Sequence, residues 1–174
     1  MAGVTTTIRP VGPGEHAELG ELTLAVYRQV LASELEGYAP ILRDVAGRLA
    51  GGCQVLVAAA GGRLLGGVTY VPGPGPLAPL AADGEAELRM LVVDPPAQGQ
   101  GVGSALVRAC LDLAGSQHRE GVVLGTMPEM AAAHRLYRRL GFQRSPGRDR
   151  QIASGQPLWC FSLALEPASP SPPP

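Results

Sequence analysis

The chain has 174 residues, of which 45% are hydrophobic and 17% charged, and this favours one domain with its own hydrophobic core. The formal net charge of −1 argues against a nucleic-acid-binding protein, which needs clustered positive charge for the phosphates. None of the 14 basic residues is a lysine, which excludes Schiff-base chemistry and a P-loop, whose mechanism requires a lysine.

The cysteines and histidines give no sign of a disulfide or a metal site. The three cysteines are far apart and lie in apolar runs, which predicts buried thiols, and the three histidines are isolated. The first residues lack the basic-then-apolar pattern of a signal peptide, and no apolar run approaches about 18 residues. We therefore expect a cytoplasmic protein that does not enter a membrane.

The first half of the chain predicts a strand, two helices and a hairpin. Residues 5–11 are β-branched and form a short strand, and 15–33 have the apolar period of a helix. The period places Leu19, Leu22, Val26 and Val30 on one apolar stripe. Residues 38–49 predict a second helix. Strands at 53–60 and 64–71 are joined by two glycines, which is typical of a β-hairpin.

The second half predicts an alternation of strands and helices. A proline-rich loop at 72–82 precedes a central unit at 85–113, in which a strand, a glycine turn and an apolar helix follow one another. A strand at 121–127 and a helix at 128–140 come next. The last predicted segments are strands at 142–145 and 158–165 and a disordered proline-rich tail at 166–174. The order β-α-α-β-β-β-α-β-α-β-β predicts an α/β fold with a mixed sheet and helices on its faces.

The glycine turn of the central unit, QGQGVG at 98–103, predicts a site for a phosphate-bearing ligand. Glycines at a helix start let backbone N–H groups approach an anion, which the helix dipole also attracts. A dinucleotide-binding turn would need its third glycine at position 104, where this chain has Ser104. A purely structural turn would weaken the helix without a gain. The remaining pattern is Q/R-x-x-G-x-G/A, supplied by Gln98, Gly101 and Gly103.

This pattern resembles the coenzyme A pyrophosphate loop of the GNAT acetyltransferase superfamily. A second stretch resembles the family's last-helix signature A-x-x-L-Y-x-x-x-G-F, which is supplied here by Ala133, Leu136, Tyr137, Gly141 and Phe142. The resemblance covers roughly residues 5–165 and implies the GNAT acyl-CoA N-acyltransferase fold as a single domain over 1–165.

The resemblance implies acetyl-CoA as cosubstrate and no metal. The strand end would pair with the pantetheine arm, and the glycine turn with the pyrophosphate. The implied cofactor-binding residues are Leu91, Val92, Val93, Gln98, Gly99, Gln100, Gly101, Val102, Gly103 and Ser104. The family's common Asn, seven residues before the tyrosine, is Met130 here, which predicts the loss of one side-chain contact to the cofactor.

Two residues are the candidates for catalysis. Tyr137 stands where the family places its general acid, and a phenol with an ordinary pKa of about 10 is protonated at neutral pH. Glu87 stands where several members carry a glutamate base, although a water chain could replace it. The alternative is a solvated glutamate paired with Arg89. Period-two alternation puts Glu85, Glu87 and Arg89 on one polar face, opposite Leu88 and Met90, which suits a wet substrate cleft.

The resulting hypothesis is an N-acetyltransferase that moves the acetyl group of acetyl-CoA to a primary amine of a small molecule or peptide by direct attack in a ternary complex. The alternatives are a catalytically silent acyl-CoA-binding regulatory module and a protein N-terminal acetyltransferase. The acceptor-facing segments lack a dense acidic patch, which disfavours a polycationic aminoglycoside, and Arg148 and Arg150 are candidates to meet an anionic group. The resemblance also allows a homodimer.

Overall fold

The computed structural model describes residues 5–31, 35–152 and 155–166. The helices are α1 (His16–Arg28), α2 (Leu35–Arg43), α3 (Val45–Ala50), α4 (Val102–Ser116) and α5 (Ala131–Arg139). The strands are β1 (Thr7–Pro10), β2 (Gln54–Ala60), β3 (Arg63–Val71), β4 (Glu85–Val93), β5 (Gly121–Thr126), β6 (Gln143–Arg144), β7 (Arg150–Gln151) and β8 (Pro157–Ala164). The proposed tail lies outside the described residues beyond Glu166.

The strands form one mixed sheet in the order β1-β2-β3-β4-β5-β8-β6, with β7 paired to β8. Neighbouring strands are antiparallel except for β4 and β5, which are parallel because α4 carries the chain back between them. The predicted α/β class with a mixed sheet is confirmed.

The predicted helix at 38–49 is two helices. The chain leaves the helical conformation at Asp44, whose backbone angles are φ −80° and ψ 69°. The Asp44 side chain then caps α3 by accepting a hydrogen bond from the Gly47 N–H at 2.8 Å. The capping aspartate is therefore the physical reason for the break, and α2 begins before Tyr38, at Leu35.

The predicted stripe on α1 is only partly right. Leu19 is buried, but the helix ends at Arg28, so Val30 falls outside it and is 37% exposed. Leu24 is buried instead.

Two apolar layers cover the sheet. On one face, α4 and α5 pack over a core that includes Leu88, Leu106, Tyr137 and Phe161. On the other face, α1 and α2 enclose a cluster of Leu24, Leu31, Leu35, Leu42, Met90 and Met127. No helix within the described ranges is long and apolar enough to cross a membrane.

A β-bulge interrupts β4 at Met90. Met90 has a φ of 52°, which is unusual for a residue other than glycine, and the pairing register with β3 shifts between Gly67 and Thr69. The alternation of side chains fails at this point. Met90 packs into the cluster under α1 and α2, whereas Leu88 packs under α4. The prediction that these two share a face was therefore wrong.

Candidate active site

A cleft opens where β4 and β5 separate. The two strands pair only as far as Leu88 and Leu124; β4 then continues to Val93, while β5 stays paired with β8 through Thr126. The cleft is lined by Tyr27, Leu88, Arg89, Met90, Leu91, Val107, Gly125, Thr126, Met130 and Tyr137. Since no strand in the described part of the chain pairs with this edge of β4 beyond Leu88, an extended ligand could hydrogen-bond to its backbone.

Tyr137 reaches the cleft from α5. The residue is 6% exposed, and its ring packs against Phe142 and Phe161, with ring centroids 5.9 and 6.0 Å away. Burial raises the pKa of the Tyr137 phenol above its ordinary value, because the phenolate would lose its hydration. Tyr137 is thus held rigidly in the protonated form.

The glycine turn is braced by side chains of its own segment. Gln98 donates from Nε2 to the Val93 carbonyl at 3.2 Å, and Gln100 donates to the Pro96 carbonyl at 2.9 Å. Gly99 and Gly101 have φ values of 75° and 82°, a left-handed conformation that favours glycine. The turn therefore has a fixed shape that depends on these two glycines.

The amino terminus of α4 can receive an anion. Its first helical hydrogen bond runs from the Ala105 N–H to the Gly101 carbonyl, so the preceding N–H groups have no acceptor among the described residues. Gly103 lies against α5, and a Cβ there would come within 3.1 Å of Leu136 and 3.6 Å of Val93. These donors, and the absence of a side chain at Gly103, fit a ligand pyrophosphate.

Glu87 does not line the cleft and lies under the proline-rich loop. The residue is 2% exposed, and its carboxylate accepts hydrogen bonds through Oε2 from the N–H groups of Leu80 at 2.8 Å and Ala81 at 3.2 Å. Burial raises the pKa of this carboxyl, although the two N–H donors and Arg89 oppose the effect. The expectation of a water-filled face is therefore wrong at Glu87.

The remaining polar residues of β4 also hold this loop. Arg89 donates from Nη1 to the Leu77 carbonyl at 2.8 Å. Glu85 pairs with Arg148, whose Nη2 lies 2.6 Å from both the Glu85 carboxylate and the Leu80 carbonyl. Arg148 is thus occupied within the protein. Arg150 is exposed and donates to the carbonyls of Arg148 and Asp149.

Of the residues that line the cleft, Leu91 and Tyr137 were among the predicted site residues and the others were not. Tyr27 comes from α1, far away in sequence, and no local pattern marks it. Arg89 was considered only as an ion-pair partner of Glu87, and its Nε does lie 4.0 Å from that carboxylate. Met130, at the expected Asn position, also lines the cleft, and its sulfur accepts a hydrogen bond from the Thr126 hydroxyl at 3.5 Å.

Comparison with known sequences identifies a family. The sequence profile of the "Acetyltransferase (GNAT) family" matches residues 19–142, well over half of the chain. The chain is 37% identical over 76 residues to the N-acetylaspartate synthetase of Homo sapiens, covering 44% of this chain and 25% of that protein. It is 40% identical over 92 residues to the mycothiol acetyltransferase of Cellulomonas flavigena, covering 52% and 26%. The chain thus spans about a quarter of the length of these curated relatives.

Solved structures share the fold. A GNAT family acetyltransferase from Brucella melitensis in complex with acetyl-CoA is 27% identical, with a TM-score of 0.65 over 97% of this chain and 93% of that one. A GNAT family acetyltransferase from Staphylococcus aureus has a TM-score of 0.74 at 18% identity, over 93% of this chain and 100% of that one. The fork between β4 and β5, the glycine turn and these matches agree, and the chain belongs to the GNAT acetyltransferase family.

Proposed function

We propose that the chain transfers the acetyl group of acetyl-CoA to a primary amine of a small molecule or peptide, by direct attack within a ternary complex. The observation that carries this proposal is the position of Tyr137. Its protonated phenol lines the cleft between β4 and β5, while the anion-binding start of α4 stands against α5 through the contact of Gly103 with Leu136.

The residues of the turn and strand end fit coenzyme A. The N–H groups at Val102, Gly103 and Ser104 would bind the pyrophosphate. The backbone of Leu91 to Val93 would hold the pantetheine arm. Bound acetyl-CoA would supply an acetyl group activated as a thioester. The complex of the Brucella melitensis relative with acetyl-CoA supports this choice of cosubstrate.

Tyr137 would act as the general acid. Its proton is retained at neutral pH because burial raises the phenol pKa. That proton would be transferred to the departing thiolate, while the amine nitrogen forms the new bond to the acetyl carbon and loses its own proton.

The base that accepts the amine proton is Glu87 or a chain of waters. A raised pKa suits a carboxylate to proton abstraction. Glu87 Oε1 lies 4.0 Å from the Nε of Arg89, a residue of the cleft, and the proton of the amine would reach it through an intervening water.

Release of free coenzyme A tests the proposal. The protein is incubated with acetyl-CoA and a panel of primary amines, and thiol formation is measured with and without each amine. Amine-dependent thiol release is expected. Tight acetyl-CoA binding without release on any amine would instead indicate a silent acyl-CoA-binding module.

A further inference from the structure

Arg89 is a positively charged residue of the cleft that Tyr137 also lines. Its side chain is 27% exposed. Among the described residues, its side chain makes one hydrogen bond, from Nη1 to the Leu77 carbonyl at 2.8 Å. Since a guanidinium has five N–H donors, most of them are left for a ligand.

Glu87 does not occupy these donors. Its carboxylate lies 4.0 Å from Arg89 Nε, which is beyond hydrogen-bonding distance, and its Oε2 already accepts from the Leu80 and Ala81 N–H groups. The carboxylate therefore offsets part of the charge of Arg89 without blocking its hydrogen-bonding edge.

Arg48 adds a second positive charge on the same sheet face. It is 7% exposed and donates to the Thr69 hydroxyl at 2.8 Å and the Leu42 carbonyl at 3.1 Å, and Thr69 is the cross-strand partner of Arg89. Both acceptors are neutral. The Asp44 carboxylate near Arg48 is exposed and caps α3 instead.

The acceptor side of the cleft therefore carries an excess of positive charge. Arg48 reaches the cross-strand neighbour of Arg89, and among the described residues Glu87 is the one buried carboxylate, while Glu85 is neutralised by Arg148. A buried cation is costly unless it meets an anion, and an arginine binds a carboxylate through two parallel hydrogen bonds. A polyamine would be repelled by the same charges.

We propose that the acceptor is an amine that carries a carboxylate close to its nitrogen, as an amino acid does, and that Arg89 binds this carboxylate. The inference rests on the proposed acetyl transfer and adds a substrate class and a specificity-determining residue. The carboxylate on Arg89 would turn the neighbouring amine towards the fork where Tyr137 lies.

Matched acceptor pairs test the inference. We would compare L-alanine with L-alaninamide and L-leucine with L-leucinamide, which differ only in the carboxylate. The amide has the less basic amine and has more of it unprotonated at neutral pH, so amine reactivity favours the amide. A kcat/KM at least about tenfold higher for the amino acids is expected, which corresponds to about 1.4 kcal/mol.

Variants identify the residue. Arg89→Gln should bring the ratio of amino acid to amide close to one, mainly by raising KM for the amino acid, and Arg89→Lys should keep part of the preference. Arg150→Gln, which changes an exposed arginine outside the cleft, should leave the ratio unchanged. Unchanged acetyl-CoA affinity in each variant shows that the fold is retained.

Calorimetry separates this inference from the proposed acetyl transfer. Binding of each pair to the protein loaded with coenzyme A gives a result even when no acceptor is turned over. If the enzyme acetylates amines but neither kinetics nor binding favours the carboxylate, the inference is overturned and acetyl transfer stands. If amino acids bind through Arg89 without thiol release, acetyl transfer is overturned instead.

Discussion

Tyr137 combines a buried ring with a hydroxyl at a ligand cleft. The ring is fixed between Phe142 and Phe161, and its burial raises the pKa of the phenol, so the proton stays on the side chain throughout the neutral range. A surface tyrosine would be protonated too, but its position would not be fixed. Burial therefore fixes the position of the Tyr137 hydroxyl and also keeps it protonated.

Replacing Tyr137 by phenylalanine removes the proton and keeps the packing. We expect kcat to fall by about 10²-fold or more, the usual contribution of a general acid, while the Kd for acetyl-CoA stays within about twofold. Steady-state kinetics and calorimetry measure the two quantities. Tyr70→Phe is the matched control, because Tyr70 is fully buried and donates to Gln117 rather than lining the cleft. Full activity of Tyr137→Phe would remove the residue from the mechanism.

Glu87 has a structural contact that must be separated from any chemical role. Its carboxylate binds the N–H groups of Leu80 and Ala81, and a glutamine oxygen can accept the same bonds. Glu87→Gln should therefore keep the loop in place and lower kcat by about 10²-fold if Glu87 is the base. Glu87→Ala should lose the loop contact as well, which should raise KM for the acceptor. An unchanged kcat in Glu87→Gln would assign the proton to a water chain.

The pH dependence of stability follows from the same carboxyl. Its pKa is raised in the folded state, so the contribution of Glu87 is fully present below its unfolded pKa and is lost as the pH rises through the folded value. Glu87→Gln has no such loss. The difference in Tm between Glu87→Gln and the parent protein should therefore shift in favour of the variant as the pH is raised from about 4 to 7.

At the scale of elements, the glycine turn joins β4 to α4 and places the start of α4 against α5. Gly103 is the point of contact, since a Cβ there would press on Leu136 and Val93. The turn, the strand end and the Tyr137 helix are therefore one packed unit, although they come from three separate elements.

Gly103→Arg should abolish acetyl-CoA binding by placing a side chain over the N–H groups at the start of α4. Acetyl-CoA at 100 times its Kd should stabilise the parent by about 2.7 kcal/mol, and this shift in thermal unfolding should vanish in the variant. Gly115→Arg, at the other end of α4, has nothing within 4 Å of the added Cβ and serves as the control. A normal thermal shift in Gly103→Arg would contradict the assignment of the turn.

The bulge in β4 shows where periodicity stops predicting structure. Alternation places Glu85, Glu87 and Leu88 correctly but fails at Met90, because the extra residue is accommodated by a left-handed φ that no local composition signals. The bulge changes which side chains of the following part of β4 face each side of the sheet, and this part of the strand borders the cleft.

At the scale of the whole molecule, the sequence predicted the sheet, the order of its main elements and the glycine turn. These features rest on local periodicity, glycines and prolines, which act over a few residues. Contacts between distant segments were not predictable: Tyr27 reaches the cleft from α1, and the loop folds back over Glu87. The predicted wet face was wrong at Glu87 for this reason, because the carboxylate meets the loop rather than water.

Arg89 illustrates the same limit for the site. From the sequence it is one of two charges spaced two residues apart, and a surface ion pair is the simplest interpretation. In the structure, the loop binds the Glu87 carboxylate through backbone N–H groups. Most of the donors of Arg89 are therefore left free for a ligand in the cleft.

The three cysteines are free and buried in the folded protein, as predicted, and burial raises the pKa of each thiol, that of Cys110 to about 12. They should consequently not react with a thiol-reactive chromophore as long as the chain is folded. In a colorimetric assay of coenzyme A release, the enzyme contributes no background of its own. Heating or denaturant would expose all three sulfurs. The same reagent, added without acetyl-CoA, would therefore measure the fraction of unfolded protein.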